Sequence, residues 1–276
     1  MPTQVQLDRA YDESYYGVGE KKFNPTVEKV VDWFRQKNAK QFANSLPNKA
    51  KVLDIGCGNG SFLVNLGMQG NFELHGIELE GKSAERAKQH PELNLHIGFL
   101  EENTYTKESF DAIVLTHVFE HLSNPKETLN IIDQIAKSGA ILQIEIPNID
   151  SWQAQIFKGN WLHLDPPRHL NLFPPKVLKK ELSSLGWEVV AESYFSPQFS
   201  PFGVQQSILN MLLSKREVLY EHLKGNQNYT VGHGSFSLLC QKLFHWLSFP
   251  LFVISDGVAS TFAKGGTVKL RFQKIK

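Results

Sequence analysis

Three glycines at alternate positions, Gly56, Gly58 and Gly60, close the apolar run Val52-Leu53-Asp54-Ile55 and open the stretch Ser61-Phe62-Leu63-Val64-Asn65-Leu66. A strand that turns into a helix through such glycines brings backbone N–H groups close to a ligand, because a Cβ there would clash or forbid the required backbone angles. The feature predicts a βαβ unit that binds a cofactor at the carboxyl end of its first strand, and three cofactors compete for it. A dinucleotide fingerprint runs G-x-G-x-x-G or A, whereas here the third glycine falls one residue early and Ser61 takes its place. A phosphate-cradling loop ends in Gly-Lys-Ser/Thr, but these glycines are followed by Cys57, Asn59 and Ser61.

About 20 residues further on, the distance at which a βαβ unit sets an acid over a ribose, His75-Gly76-Ile77-Glu78-Leu79-Glu80 reads as a second strand ending in a carboxylate. An ionised carboxylate only accepts hydrogen bonds, so Glu78 suits a vicinal diol and repels a 2′-phosphate; the plainer alternative is a solvated acid at a strand end. A third strand follows in Leu95-His96-Ile97-Gly98-Phe99-Leu100, a fourth in Phe110-Asp111-Ala112-Ile113-Val114-Leu115, and a fifth in Ala140-Ile141-Leu142-Gln143-Ile144-Glu145-Ile146. Apolar strands alternating with helical stretches call for a parallel sheet covered on both faces.

Asp54 with Gly56, Gly58 and Gly60, followed in order by Glu78 and the fourth strand, resembles the first motifs of the class I S-adenosylmethionine-dependent methyltransferases. The His-Val-Phe-Glu-His run 117–121 and the string Pro166-Pro167-Arg168-His169-Leu170 resemble a bacterial subgroup of that family. The resemblance implies an α/β fold, a Rossmann-like three-layer sandwich whose seven-stranded, mostly parallel sheet has an antiparallel last strand, with a helical insertion added. It implies S-adenosyl-L-methionine as cofactor and S-adenosyl-L-homocysteine as product. Its cofactor residues would be Asp54, Gly56, Cys57, Gly58, Gly60, Glu78 and Leu79, with Phe99 and Leu100 beside the adenine and Thr116 and His117 beside the methionine part. Phe99 stands where the family often has an acid. Some relatives bind a divalent metal with a Glu-x-x-Glu-His pattern at this point; here His117 replaces the first Glu, His169 is a further possible ligand, and no metal is expected. Glu120 is expected to cap the next helix, where its charge suits the dipole.

After the fifth strand comes a Pro-rich stretch to Phe173 that carries Trp152, Trp161, His163, Asp165, Arg168, His169 and Asn171. Loops at the carboxyl edge of a sheet carry function while the sheet supplies rigidity, so Arg168, His169 and Trp161 are expected to form the acceptor side. The competing reading puts the tryptophans in the core and Arg168 in an ion pair. His169 and His117 are the catalytic candidates, with Glu145 a third possible base, because an imidazole with an ordinary pKa of about 6.5 is mostly neutral at pH 7.

A formal charge of +1, from 29 Lys+Arg against 28 Asp+Glu, gives no global field that would draw nucleic acid. Two cysteines, Cys57 and Cys240, offer neither a disulfide framework nor a metal pair, and the first residues lack a signal pattern, so the expected compartment is the cytoplasm. At 276 residues, three segments are expected. Residues 1–50 form an N-terminal helical cap with Tyr11, Tyr15 and Tyr16 and an amphipathic run through Val27, Val30, Val31 and Phe34. Residues 51–195 and 265–276 form the cofactor-binding domain, with the last strand at 266–273. Residues 196–264 form a helical insertion or lid. Its two stripes, Ile208, Met211, Leu212, Leu219 and Leu223, then Phe236, Leu239, Leu243, Leu247 and Phe249, are expected to pack on the core or on another subunit. Gln241, Lys242 and His245 interrupt the second stripe, so no transmembrane span is expected, although peripheral membrane contact is compatible with it. The activity implied is methyl transfer to an O or N of a small-molecule or glycan-type acceptor. A nicotinamide-dependent oxidoreductase and a non-catalytic cofactor-binding module are the alternatives; oligomeric state is not legible.

Overall fold

The computed structural model of the chain describes residues 25–275, and side chains over 32–226 and 229–275. Tyr11, Tyr15 and Tyr16 lie outside the described residues, as do the side chains of Val27, Val30 and Val31. The order of elements is helix α1 (Pro25–Ala43), β1 (Lys51–Ile55), α2 (Ser61–Gly67), β2 (Glu73–Glu78), α3 (Lys82–Ala87), β3 (Asn94–Ile97), β4 (Phe110–Thr116), α4 (Pro125–Ile135), β5 (Ala136–Pro147), α5 (Trp152–Phe157), α6 (Pro175–Ser184), β6 (Trp187–Ser193), α7 (Ser200–Leu212), α8 (Val218–Leu223), α9 (Gln227–Thr230), α10 (Ser235–Thr261) and β7 (Thr267–Lys274).

The seven strands make one sheet in the order β3-β2-β1-β4-β5-β7-β6. Strands β1 to β5 pair in parallel, with Ile55 level with Ile77 and Leu115, and Glu78 level with Ile97. Their carboxyl ends therefore share one edge. Strand β7 runs against β5: Lys269 Nζ reaches Glu145 Oε2 at 3.1 Å, Arg271 Nη2 donates to Gln143 Oε1 at 2.8 Å, and Gln273 Nε2 donates to the Gly139 carbonyl at 3.4 Å. Rising numbers on one strand meet falling numbers on the other, which is the antiparallel last strand the sequence predicts.

Interior strands of a parallel sheet are covered on both faces and read as continuous apolar runs. Val52, Leu53, Ala112, Ile113 and Leu115 are all fully buried. Ala39 and Phe42 of α1 pack with Val52, Leu63, Leu66, Leu74 and Val114. Helix α4 starts at Pro125, with Asn124 Oδ1 accepting from the Glu127 N–H at 3.5 Å. Proline fits a first helical position because its missing N–H would have no intrahelical partner there. The cap is thus Asn124 rather than Glu120, which lies in a separate 3₁₀ turn, Phe119–His121.

The chain divides into two compact units. One contains the sheet: Val31–Ile146, Lys176–Glu192 and the residues from Lys269 on. The other contains Pro147–Pro175 and Ser193–Val268. The division differs from the expected one in its treatment of 147–175, which joins the helical segment rather than the sheet. The reason is packing: Ala154, Phe157 and Trp161 form a cluster with Val204 and Ile208, Gln153 Nε2 donates to the Ser200 carbonyl at 3.0 Å, and the Leu162 N–H donates to Ser207 Oγ at 2.9 Å.

Within that unit the expected stripes resolve differently. Leu219 and Leu223 are buried with Leu209, but Met211 and Leu212 are 57% and 75% exposed. Helix α10 is 27 residues long and, by length and composition, apolar enough to cross a membrane, which corrects the expectation that its polar interruptions rule this out. Gln241 and His245 are buried, whereas Phe236, Leu239, Leu243 and Leu247 face outward rather than packing on a core.

Candidate functional site

The sheet-bearing unit assembles the glycine turn as the sequence predicts. Gly56, Gly58 and Gly60 all have positive φ, 70°, 60° and 76°, a region open to glycine and costly for residues with a Cβ. Their surroundings differ. A Cβ on Gly56 would lie 2.4 Å from Val118 Cγ2, and one on Gly60 2.6 Å from Leu93 Cδ1, but one on Gly58 meets nothing within 4 Å. Gly56 and Gly60 are therefore needed for packing, whereas Gly58 turns its bare side to open space.

The Gly56 and Cys57 N–H groups donate to the Ile77 carbonyl at 2.8 and 2.9 Å, which ties the turn to the end of β2. One residue later, Glu78 Oε2 accepts from the Gly58 N–H at 2.6 Å, and its Oε1 accepts from the Leu79 N–H at 3.2 Å. The carboxylate expected over a ribose thus also fixes the turn. Each carboxylate oxygen has further acceptor capacity. Asp54 is 5% exposed. Burial raises its pKa well above the ordinary carboxylate value, and the charge of Glu78 raises it further. Burial likewise raises Glu78, against the lowering effect of the Gly58 and Leu79 N–H groups. An acidic pair held this way favours a cationic or hydrogen-bond-donating ligand over a phosphate. Cys57 is no nucleophile: burial, then Asp54 and Glu78, push its thiol far up. Its sulfur lies 2.7 Å from where a Gly76 Cβ would be, so the pair packs β2 against the turn.

Along the same edge, Phe99 follows β3 and is 69% exposed, Leu79 is 41% exposed, Leu100 is partly buried and Thr116 is exposed. His117 has φ 54° and donates its backbone N–H to the Glu145 carbonyl at 2.9 Å. Its Nδ1 lies 3.2 Å from Oε1 of the buried Glu120. Burial pulls the His117 pKa down, but the hydrogen bond to Glu120 and the charges of Glu120 and Glu145 outweigh it, leaving the pKa above the ordinary imidazole value. The expected neutral base at pH 7 is therefore shifted toward the protonated form. Glu145 is buried and paired with Lys269, so the third candidate base serves the β5–β7 ladder.

The acceptor-side candidates all lie in the helical unit. Trp161 is only 1% exposed, clusters with Ala154 and Phe157, and donates its indole N–H to Gln153 Oε1 at 3.4 Å. This corrects its expected place on an acceptor wall: the ring fills the core that supports the loop. Asp165, itself at φ 35°, pairs with Arg168, whose Nε donates to Oδ2 at 2.9 Å and whose Nη2 binds Oδ1; Glu217 Oε2 stands 4.0 Å from that nitrogen. Two carboxylates stand beside the guanidinium, the ion-pair reading of Arg168, and the second acid is too distant in sequence for any motif to reveal. His169 Nδ1 lies 2.7 Å from the His163 carbonyl. A carbonyl only accepts, so Nδ1 carries the proton and Nε2 is the basic nitrogen.

A family model described as a methyltransferase domain matches residues 31–192. A ubiquinone biosynthesis O-methyltransferase of Azoarcus sp. is 35% identical over 96 residues, covering 32% of this chain and 40% of that protein. Its counterpart in Pasteurella multocida is 30% identical over 139 residues, covering 44% and 57%. The chain thus matches well under two thirds of either relative's length. A methyltransferase from Archaeoglobus fulgidus, described as S-adenosylmethionine-dependent, superposes with a TM-score of 0.54 at 17% identity, covering 88% of this chain and 94% of that one, a likeness of fold. The nicotinamide alternative falls with these matches. From its glycine turn, its sheet order and the family model together, the chain belongs to the S-adenosylmethionine-dependent methyltransferases, with S-adenosyl-L-methionine as its cofactor.

Proposed function

We propose that the chain transfers a methyl group from S-adenosyl-L-methionine to an oxygen or nitrogen of a small-molecule acceptor, in the cytoplasm. The observation that carries the reading is the pairing of Glu78 with the Gly58 N–H beside a glycine whose bare side opens on space. Gly58 lets a ligand approach the backbone, Glu78 accepts from the ribose hydroxyls, and Asp54 supplies negative charge behind the turn. Phe99, Leu79 and Leu100 offer apolar contact to the adenine, and Thr116 and His117 border the methionine part. The sulfonium supplies an already activated methyl, so the chain's own residues need to align the acceptor, exclude water and take up a proton.

Proton uptake is assigned to His169 on geometry, since Nε2 is its basic nitrogen. Its Nδ1–H is fixed by the His163 carbonyl, while the raised pKa of His117 suits it to orienting or to carrying charge. Oxygen comes first among acceptor atoms, because the curated relatives from Azoarcus sp. and Pasteurella multocida carry O-methyltransferase names. Nothing favours a glycan over other small molecules. The test is titration calorimetry with S-adenosyl-L-homocysteine, then a screen of phenols, alcohols and amines read as mass gain by the acceptor. Absence of homocysteine-form binding would end the reading; binding without methyl gain across the screen would leave a cofactor-binding module in its place.

A further inference from the structure

Helix α10 is built the wrong way round for a helix in water. Its buried positions include Gln241, His245 and Asp256, while Phe236, Leu239, Leu243, Trp246, Leu247, Leu251, Ile254 and Val258 are all at least 50% exposed. These side chains recur at three- and four-residue steps and so form one stripe. The 27 residues make it about 40 Å long at 1.5 Å per residue. Across the helix the charged residues are Lys242, partly buried, and Asp256, 2% exposed. No charge lies on the exposed face.

Two of the three inward polar groups, His245 and Asp256, are matched inside their own unit, while Gln241 donates its Nε2 to Ser237 Oγ of the same helix at 3.3 Å and keeps a buried Oε1 without a partner among the described residues. Gln205 Nε2 donates to the His245 carbonyl and to Ser248 Oγ, both at 2.8 Å, and Gln205 Oε1 meets His245 Nδ1 at 2.8 Å. Asp256 accepts from the Ser196 and Gly266 N–H groups at 3.2 and 3.3 Å. Polar groups gathered inward and apolar ones outward are the arrangement that a hydrocarbon solvent selects.

We infer that the chain rests on a lipid bilayer through the outward apolar face of α10. A protein partner is the competing occupant, and the hydroxyls decide against it. Protein interfaces carry about one hydrogen bond per 100–200 Å² and a polar rim. The hydroxyls on this face are turned onto their own helix: Ser255 Oγ donates to the Phe252 carbonyl at 3.2 Å and Thr261 Oγ1 to the Val258 carbonyl at 2.8 Å. Beyond the Trp246 indole N–H the stripe thus offers a partner protein little to bond, and lipid tails ask for nothing.

The helix lies along the bilayer surface instead of crossing it, because both ends are tied to the unit that α10 packs on. Before it, Tyr229 Oη donates to the Arg216 carbonyl and Lys215 Nζ to the Tyr229 carbonyl; after it, Lys264 Nζ donates to the Asp150 carbonyl at 2.9 Å. Crossing would drag one of these charged groups through hydrocarbon.

The experiment is flotation of the full chain with phosphatidylcholine vesicles at low and high salt. The bound fraction should be unaffected by salt, since apolar contact rather than charge holds it. The combined variant L243E/L247E/L251E changes exposed side chains and should bind at least about tenfold more weakly, because three leucines that enter the lipid become three charges. Its thermal shift with S-adenosyl-L-homocysteine should stay that of the parent. As a check needing no variant, an environment-sensitive dye on the exposed Cys240, with Cys57 buried, should shift to the blue with vesicles and be quenched by brominated lipid. Failure of the parent chain to float, or an unshifted dye, overturns the inference. So does a dimer in sedimentation equilibrium that L243E/L247E/L251E dissociates, since the face would then belong to a second copy.

Discussion

The three turn glycines, alike in sequence and in φ, predict unlike losses. Gly58→Ala meets open space and changes mainly the backbone preference and the ligand's approach, so the protein should fold while cofactor binding falls. Gly56→Ala drives a Cβ into Val118, and Gly60→Ala into Leu93; both should lower the melting temperature before any ligand is added. Equal melting of all three variants would refute the distinction. Glu78→Ala removes an acceptor from the Gly58 N–H and from the cofactor, and should weaken S-adenosyl-L-homocysteine binding by about 1–3 kcal/mol, the usual cost of lost hydrogen bonds to a charged group. Calorimetry reads this directly. Arg168→Ala should act on stability: it strands Asp165 and Glu217 without their cation and should cost about 1–3 kcal/mol, with cofactor affinity unchanged. A parent-like melting curve would return Arg168 to an acceptor role.

At the scale of elements, the ends of β1 and β2 set a pH dependence. Asp54 and Glu78 have pKa values above the ordinary carboxylate range when the protein is folded without ligand. Their contribution to stability is then fully present below about pH 4, the unfolded range, and is lost as pH rises through the raised folded values. A bound cation with ribose donors favours the ionised pair, so binding releases protons in that window. Cofactor affinity should therefore strengthen as pH rises from about 4 toward neutrality, and heats measured in buffers of different ionisation enthalpy should show proton release. Proton uptake would reverse the assignment of the pair. The elements themselves were legible where period and punctuation agreed. Pro175 at the start of α6 and Gly186 just past its end, at φ 86°, bracket that helix with the proline-first, glycine-last punctuation that marks helix ends. The 3₁₀ turn of Phe119–His121 was not, because Pro125 and Asn124 start a fresh helix that propensity alone cannot separate from the preceding residues.

For the whole molecule, S-adenosyl-L-methionine should raise the melting temperature and NADH should not, since only a ligand bound by the native state shifts the transition; a rise with NADH alone would overturn the cofactor. What the sequence determined by itself is the sheet-bearing unit. Its signals are local and repeated: an apolar run, a glycine turn and a carboxylate at a strand end each lie within a few residues, and a parallel sheet admits few arrangements of them. Three other features only the tertiary structure decided. Residues 147–175 join the helical unit because Trp161 finds its core among Val204 and Ile208, far along the chain. Arg168 is matched by Glu217, a partner no spacing rule indicates. The apolar stripe of α10 turns outward because Gln205 and Asp256 hold the helix's other face by hydrogen bonds. Periodicity shows that a helix has two faces; which one is buried depends on the groups that meet it in the folded chain.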